Sequence, residues 1–181
     1  MLMKKTLLCL LTSILLAGCQ NQPHAAVSVP DNSFSSYFMD VPFDMEEFGA
    51  PRFPDNTVNI ANVGATGDGL ADNTEAINKA IRDIASQGGG TVVVPAGIWK
   101  TGPIQLLDNI CLHVEANALI LFDPDRKRYP IIETSFEGMN KRRSTSPIYA
   151  RNAKNIAITG AGVIDGSGDA WRLGKKGKTT E

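Results

Sequence analysis

The chain has 181 residues, of which 43% are hydrophobic and 20% charged, and this length suffices for one domain of ordinary size. Cys9 and Cys19 fall in an N-terminal targeting segment. Only Cys111 is then left as a thiol, which excludes an intramolecular disulfide and requires stability from buried apolar surface. The net charge of −1 hides an asymmetry, because residues 20–122 are acidic on balance and residues 123–181 are basic. A basic second part suits an acidic polymer, although solvated surface lysines and arginines explain the charge equally well.

Residues 1–18 have the features of a secretion signal. Lys4 and Lys5 precede an apolar stretch at residues 6–16, which is too short for a membrane-spanning helix of about 20 residues. The stretch ends in Leu-Ala-Gly-Cys19, which resembles the lipobox of bacterial lipoproteins. The resemblance implies cleavage before Cys19 and lipidation of its thiol, so we expect an exported protein anchored by lipid at the bacterial cell envelope, in the outer membrane or on the periplasmic face. An ordinary signal peptide with a chance cysteine is the alternative.

Residues 19–56 are interpreted as a tether. They contain five prolines with scattered serine and asparagine, and they show no sustained strand or helix periodicity. An aromatic cluster, formed by Phe34, Tyr37, Phe38, Phe43 and Phe48, predicts that the later part of the tether packs against the folded body.

Residues 57–181 are interpreted as the folded part. It opens with a predicted strand at Val58–Val63 and a glycine-rich turn at residues 64–69. Asp72 is predicted to begin a helix, with Glu75 completing a capping box and Gly88–Gly90 ending it. One face of this helix is apolar and comprises Ala76, Ile77, Ala80, Ile81, Ile84 and Ala85.

The sequence after the helix consists of short aliphatic segments, separated mostly by Gly, Asn, Asp or Pro. They are Thr91–Val94, Ile98–Lys100, Ile104–Leu107, Ile110–Val114, Ala118–Phe122, Ile148–Ala150, Ile156–Thr159 and Val163–Ile164. Strands this short, with no helices between them, exclude a doubly wound sheet and leave an antiparallel sandwich or a β-solenoid.

A repeated phrase favours the solenoid. The pattern polar-Asn-Ile-x-aliphatic occurs at Asp108–Leu112 and again at Lys154–Ile158, 46 residues later, a separation that fits two coils, one of them lengthened by a loop. Ile110, Leu112 and Val114 would then point inward, and the amphipathic helix would cover the open end of the first coil.

Two groups of segments resemble known proteins. The residues at 65–69, 72–77 and 88–97 resemble the opening of the pectin-degrading β-helix superfamily. The residues at 146–150, 155–160 and 162–171 are similar to glycoside hydrolase family 28, the polygalacturonases and rhamnogalacturonases. The resemblance implies an all-β fold, a right-handed parallel β-helix, of which this chain holds the N-terminal coils capped by one short amphipathic helix. Arg172 stands where the family often has a second tryptophan, so the choice between polygalacturonan and rhamnogalacturonan stays open.

The family resemblance also implies a reaction, the hydrolysis of α-linked galacturonate in pectin with inversion at the sugar, which uses one carboxylic acid and one carboxylate. The family's Asn-Thr-Asp, Asp-Asp, Gly-His-Gly and Arg-Ile-Lys clusters do not occur in this sequence. We therefore assign no catalytic residue and expect a truncated N-terminal part that is inactive alone. The expected partners are galacturonan and, through the lipid anchor, the membrane. We expect no cofactor, no metal and no nucleic acid, and a monomer. The alternatives are a non-catalytic carbohydrate-binding surface β-helix and a polysaccharide lyase of the same fold.

Several polar residues were considered as site residues. His113 is predicted to point outward in a structural role, and Asp165 to serve a tight turn. Asp169 and Trp171 either border a sugar site or pack against a neighbouring coil. Residues 123–145 form a long loop whose basic run, Lys141-Arg142-Arg143, is predicted to wall one end of a groove and attract the carboxylates of galacturonate.

Overall fold

The computed structural model describes residues 40, 42–44 and 49–171. Cys19, the predicted signal segment, most of the predicted tether and residues 172–181 lie outside the described residues. In the part of the chain that is described, no helix has the length and apolar character needed to cross a membrane.

The described chain contains eleven strands and two α-helices. In order they are β1 (Thr57–Asn59), α1 (Thr74–Ser86), β2 (Gly90–Val94), β3 (Gly97–Thr101), β4 (Ile104–Leu106), β5 (Ile110–Val114), β6 (Ala118–Phe122), β7 (Ile131–Phe136), β8 (Met139–Ser144), β9 (Ile148–Ala150), β10 (Ala157–Gly160), β11 (Val163–Asp165) and α2 (Gly168–Trp171). Short 3₁₀ turns lie at Ile60–Val63 and Arg126–Arg128.

The strands stack as the coils of a β-helix. One parallel sheet has the order β1-β2-β5-β10, a second has β11-β6-β3, and a third pairs β4 with β9. All of these pairings are parallel and join strands of successive coils. The predicted right-handed parallel β-helix is therefore confirmed, and the antiparallel sandwich is excluded.

The repeated phrase stacks in register. Cys111 pairs with Ala157 and Leu112 with Ile158, so the two copies lie on directly adjacent coils. The backbones of Asn109 and Asn155 have positive φ angles of 58° and 52°. The side-chain amide of Asn155 donates to the side-chain oxygen of Asn109 at 2.9 Å, which joins the two turns.

The core lies inside the coils and under α1. Ile110, Leu112 and Val114 point inward as predicted and are buried, together with Val92 and Ile120 of neighbouring strands. The apolar face of α1 covers this core through four buried side chains, those of Ile77, Ala80, Ile81 and Ile84. Burial of such aliphatic side chains is the main source of stability for a chain of this kind.

The first predicted strand and the predicted helix start are wrong in detail. The strand ends at Asn59, whose side-chain oxygen accepts from the backbone N–H of Ala61 and turns the chain into a 3₁₀ helix. Helix α1 begins at Thr74, two residues after the predicted start. Asp72 does accept from the N–H of Thr74, at 3.1 Å, but Glu75 pairs with Arg82 and closes no capping box.

One corner of the β-helix differs sharply between two successive coils. In the first, β3 leads to β4 through Gly102 and Pro103 alone. In the next, residues 123–147 fill the equivalent corner between β6 and β9. The predicted long loop is thus partly regular, because β7 and β8 form an antiparallel hairpin. The two residues of its turn, Glu137 and Gly138, have positive φ angles of 51° and 76°, as a two-residue hairpin turn requires.

The last described coil keeps apolar surface in solvent. Ile158 stacks on Leu112 and Ile164 on Ile120, so both belong to the inward-facing columns. Their exposed fractions are nevertheless 47% and 40%.

Candidate functional site

A groove of about 700 Å³ lies at the base of the hairpin. We call it the hairpin groove. The lining residues important for its chemistry are Arg126, Thr134, Arg143, Thr145, Tyr149 and Trp171. Among the described residues that line it, two are arginines and none is a carboxylate.

The basic run of the hairpin is divided between two neighbouring cavities, and Thr134 and Ser135 line both of them. Arg143 lies opposite Ile132 and lines the hairpin groove. Arg142 lies opposite Glu133, and these two residues line a separate cavity of about 370 Å³. Lys141 lines that second cavity as well. Of the three predicted cations, only Arg143 is among the described residues that line the groove.

Arg126 and two aromatic side chains form one side of the hairpin groove. The guanidinium carbon of Arg126 lies 5.6 Å from the ring centroid of Trp171, and its Nη2 donates to the carbonyl oxygen of Trp171 at 3.2 Å. Tyr129 meets Trp171 edge to face, with 4.9 Å between the ring centroids. The buried hydroxyl of Tyr129 donates to the carbonyl oxygen of Asp123 at 2.7 Å. These contacts fix the aromatic wall.

A charged network clamps the base of the hairpin to the capped end of the coils. Arg128 donates to the carboxylates of Asp72 and Asp123 and to the hydroxyl of Thr74. Lys100 of β3 lies 3.3 Å from the carboxylate of Asp123. Because Arg128 and Arg126 belong to the same 3₁₀ turn, this clamp also places Arg126 beside the groove.

The clamp shifts the pKa values of its members. The backbone N–H of Asp125, followed by Lys100 and Arg128, holds the pKa of Asp123 below its ordinary value against the opposing effect of burial. Burial is the largest single effect on Asp72 and raises its pKa, but hydrogen bonds from Thr74 and Arg128 outweigh it and lower the pKa overall. The carboxylates are therefore held ionised, which suits ion pairing and not proton donation near neutral pH.

Two polar atoms of the residues that line the groove have no hydrogen-bond partner within the described chain. They are the hydroxyl oxygen of Thr145 and the indole nitrogen of Trp171, and both are buried. The whole Thr145 residue is only 5% exposed. A buried polar group without a partner costs about 1–3 kcal/mol, so these two atoms lower the stability of the folded chain.

The other sequence-derived candidates lie away from the groove lining. His113 is half-buried on the outward side of β5, where its Nδ1 lies 2.9 Å from the hydroxyl of Thr159. The carboxylate of Asp165 accepts from the N–H of Ser167 at 2.8 Å, which makes a local turn. Asp169 is exposed on α2. Trp171 combines both readings given to it, since it packs against Tyr129 and also lines the groove.

Sequence reasoning overlooked Asn73. This asparagine is 2% exposed, and its side chain bonds to both backbone groups of Thr66 and to the carbonyl oxygens of Ala71 and Lys100. It thereby ties the glycine-rich turn and the start of α1 to β3. Its only sequence signal was a position next to the predicted helix start, where asparagine is common for capping.

Cys111 and the acidic residues offer little further chemistry. Burial raises the pKa of the Cys111 thiol, so a thiolate nucleophile is disfavoured there. Within residues 40, 42–44 and 49–171, no group of three or more His, Cys, Asp or Glu side chains is placed to hold a metal ion. What the described chain offers is a groove lined by two arginines together with aromatic and hydroxyl groups, side chains that can bind a polyhydroxylated anion.

Comparison with known proteins adds independent information. Residues 57–179 match the profile of the family described as rhamnogalacturonase A/epimerase, pectate lyase-like. The exo-poly-alpha-D-galacturonosidase of Dickeya chrysanthemi is 36% identical over 123 residues, which cover 64% of this chain and 20% of that protein. The chain spans only 27% and 20% of the lengths of two curated relatives of this kind.

Solved structures show the same likeness. A hyperthermoactive exopolygalacturonase from Thermotoga maritima is 45% identical with a TM-score of 0.62, over 65% of this chain and 26% of that one. A family 28 exopolygalacturonase from Yersinia enterocolitica is 34% identical with a TM-score of 0.55, over 61% of this chain and 20% of that one.

Proposed function

Since the chain belongs to the rhamnogalacturonase A/epimerase, pectate lyase-like family, we propose that it forms the N-terminal part of a glycoside hydrolase that acts on galacturonan. The observation that carries this proposal is the hairpin groove, which presents Arg126, Arg143 and Trp171 to one cavity without a lining carboxylate among the described residues. Guanidinium groups pair with carboxylates, and aromatic rings offer apolar faces to sugar rings. A polymer of sugar acids combines both partners.

The chemistry of the reaction separates the residues that bind the acidic chain from those that cleave it. Inverting hydrolysis needs a carboxylic acid and a carboxylate roughly 6.5–9.5 Å apart, one on each side of the scissile bond. Asp123 and Asp72 are engaged in the clamp and Asp165 in a turn, so these groups are committed to structure. We therefore assign binding of the acidic chain to this part of the protein. The acid and the base are assigned to coils that follow in the longer relatives.

The test compares two purified proteins on polygalacturonate, this chain and the product of the whole reading frame that contains it. We expect the longer protein to release reducing ends and this chain to release none. Turnover by this chain alone would overturn the assignment of the acid and base, and no reducing ends from the longer protein would overturn the hydrolase proposal. Products that absorb in the near ultraviolet would instead identify a lyase. Binding without any product would identify a carbohydrate-binding β-helix.

The N-terminal residues carry a second part of the proposal. Residues 1–18 act as a lipoprotein signal, Cys19 receives the lipid, and residues 19–56 tether residues 57–181, the β-helical part, to the cell envelope. The support is the Leu-Ala-Gly-Cys19 motif after a short apolar stretch. Incorporation of labelled fatty acid into the wild type, and its loss in Cys19→Ser, is the expected result. Equal labelling of both would overturn it.

A further inference from the structure

We propose that residues 34–48 dock on the outward surface of the four-stranded sheet β1-β2-β5-β10, on the side of the β-helix opposite the hairpin groove. We call this surface the back face. The inference goes beyond the proposed function, because it assigns an occupant to a surface remote from the groove. Only its consequence for the anchored protein rests on the proposed lipidation of Cys19.

The back face is defined by strand register. Paired residues of adjacent parallel strands point to the same side of the sheet, and successive residues alternate. Val92 and Leu112 belong to the apolar cluster inside the coils, so the residues on either side of them point outward. The outward residues form two rows across the sheet, which are Thr91, Cys111 and Ala157 in one row and Val93, His113 and Thr159 in the other.

Two residues of the back face are buried although they point away from the core. Cys111 is 0% exposed and Val93 is 5% exposed, yet neither belongs to the cluster inside the coils. Helix α1 packs on that cluster, and the hairpin leaves the coils between β6 and β9, so neither element is placed over the back face. An outward side chain in the middle of a sheet loses all contact with solvent when another part of the protein lies over it. We therefore infer that the back face is covered.

The chain immediately before β1 leads to this face. The carbonyl oxygen of Asn56 accepts from the N–H of Thr91 in β2 at 2.8 Å, and that of Arg52 accepts from the side-chain amide of Asn155, beside β10, at 2.7 Å. Strand β5 separates β2 from β10, so the two strands lie about 10 Å apart, a distance that four residues span. Residues 52–56 thus cross the strand ends along one border of the back face, and the residues before them are within reach of Cys111.

The composition of residues 34–48 suits a face made of small side chains. Five of these fifteen residues are aromatic, whereas residues 20–33 contain no Phe, Tyr or Trp. Fifteen residues extend to about 50 Å, several times the width of three strands. Phe43 is 61% exposed and is therefore excluded as an anchor. The remaining aromatic residues, Phe34, Tyr37, Phe38 and Phe48, are the proposed anchors, because aromatic rings bury a large apolar area.

Docking on the back face would orient the anchored protein. Each coil passes through three sheets in the order of β2, β3 and β4, and the hairpin inserts at the corner between the second sheet and the third. The back face belongs to the first sheet, so it lies opposite that corner. With lipid on Cys19, the chain would leave the β-helix on the back face, and the hairpin groove would open on the side away from the attachment.

Cys111 provides a direct measure of the cover, because it is the only cysteine after Cys19. The experiment measures the rate at which a maleimide labels this thiol under native conditions, in the chain from residue 20 onward and in a shortened chain that begins at Gly49. We expect labelling of the shortened chain to be about tenfold faster or more, since the thiol loses its cover. In the unshortened chain, the triple variant Tyr37→Ser, Phe38→Ser, Phe48→Ser should label about threefold faster or more, and the matched control Phe43→Ser should differ by less than about twofold.

A second thiol separates loss of the cover from general unfolding. Ala80→Cys in a Cys111→Ser background places a thiol on the core side of α1, where Ala80 is 1% exposed, and its labelling should stay within about twofold in every variant. Where shortening accelerates labelling at both positions, the coils have opened as a whole, and the triple variant decides. Acceleration at both positions in the triple variant, or none at Cys111, would overturn the docking proposal. These rates depend on neither hydrolysis nor lipidation, so either result leaves the proposed function to its own test.

Discussion

The helix-covered coils and the hairpin are built from opposite kinds of residue. In β2 and β5, inward-facing valine, isoleucine and leucine side chains are fully or almost fully buried and stack on their neighbours. In β8, five of six residues are exposed, and three of them are basic. The coils are held by apolar burial, whereas the hairpin attaches through the clamp at its base and the contacts of Arg126 and Tyr129. Stability and recognition are therefore located in different parts of the same chain, and substitutions in the two regions should have different effects.

The largest expected effect is on the covered coil. Ile81→Ala removes a fully buried side chain from the face of α1 that packs on the core, and should lower the free energy of unfolding by about 2–5 kcal/mol. The matched control on the same helix is Lys79→Ala, which breaks an exposed pair with Asp83 and should cost about 0.5 kcal/mol or less. Denaturant unfolding measures both. Similar losses for the two variants would contradict the assignment of stability to the buried face.

An intermediate effect is expected at the clamp, which joins the two regions. Asp123→Asn leaves Lys100 and Arg128 without their shared carboxylate and should cost about 1–3 kcal/mol at neutral pH.

The lowered pKa of Asp123 determines how its contribution to the free energy of unfolding changes with pH. The pKa of Asp123 is lower in the folded chain than the ordinary value of 3.8, so its contribution is fully present above that value and is lost as the pH falls through the lower folded pKa. Unfolding measured from pH 7 down to strongly acidic pH should show a wild-type free energy that falls more steeply below about pH 4 than that of Asp123→Asn. Parallel curves for the two proteins would show that the clamp contributes no pH-dependent stability.

The smallest expected effect is at an exposed residue of the hairpin, Arg142. Arg142→Gln changes an exposed side chain and should alter the free energy of unfolding by no more than about 0.5 kcal/mol. Denaturant unfolding would show a midpoint close to that of the wild type. A loss comparable to that of Ile81→Ala would mean that the hairpin belongs to the same cooperative core as the coils.

The coils could be predicted from the sequence because the aliphatic segments, the turn residues and the repeated phrase all indicate the same structure. Aliphatic residues recur on short segments bounded by glycine and asparagine, and the repeat around Asn109 and Asn155 gives the register of adjacent coils directly. Strand β5 was predicted at its observed bounds, Ile110–Val114, for this reason. The pairing register of a buried strand is strongly specified, since a shift of one residue would turn every inward side chain outward.

The hairpin groove could not be predicted from the sequence in the same way. Glu137-Gly138 is a weaker hairpin signal than Asn-Gly, and the strands around it lack aliphatic alternation, so residues 123–145 were predicted as a loop. That Arg143 lines the groove while Lys141 and Arg142 line the neighbouring cavity depends on how the hairpin folds, which composition does not contain. The contact of Arg126 with Trp171 joins residues 45 positions apart, and it depends on how the inserted segment returns to the coil.

The corner occupied by residues 123–147 has a consequence for how such proteins diversify. The preceding coil closes the equivalent corner with Gly102 and Pro103, while β6 still pairs with β3 and β9 still pairs with β4 on either side of the longer connection. Pairing of the flanking strands is therefore compatible both with a two-residue corner and with one of twenty-five residues. Variation at this corner can change the groove while the strands of the coils keep their pairing, provided that the contacts of the clamp are retained or replaced.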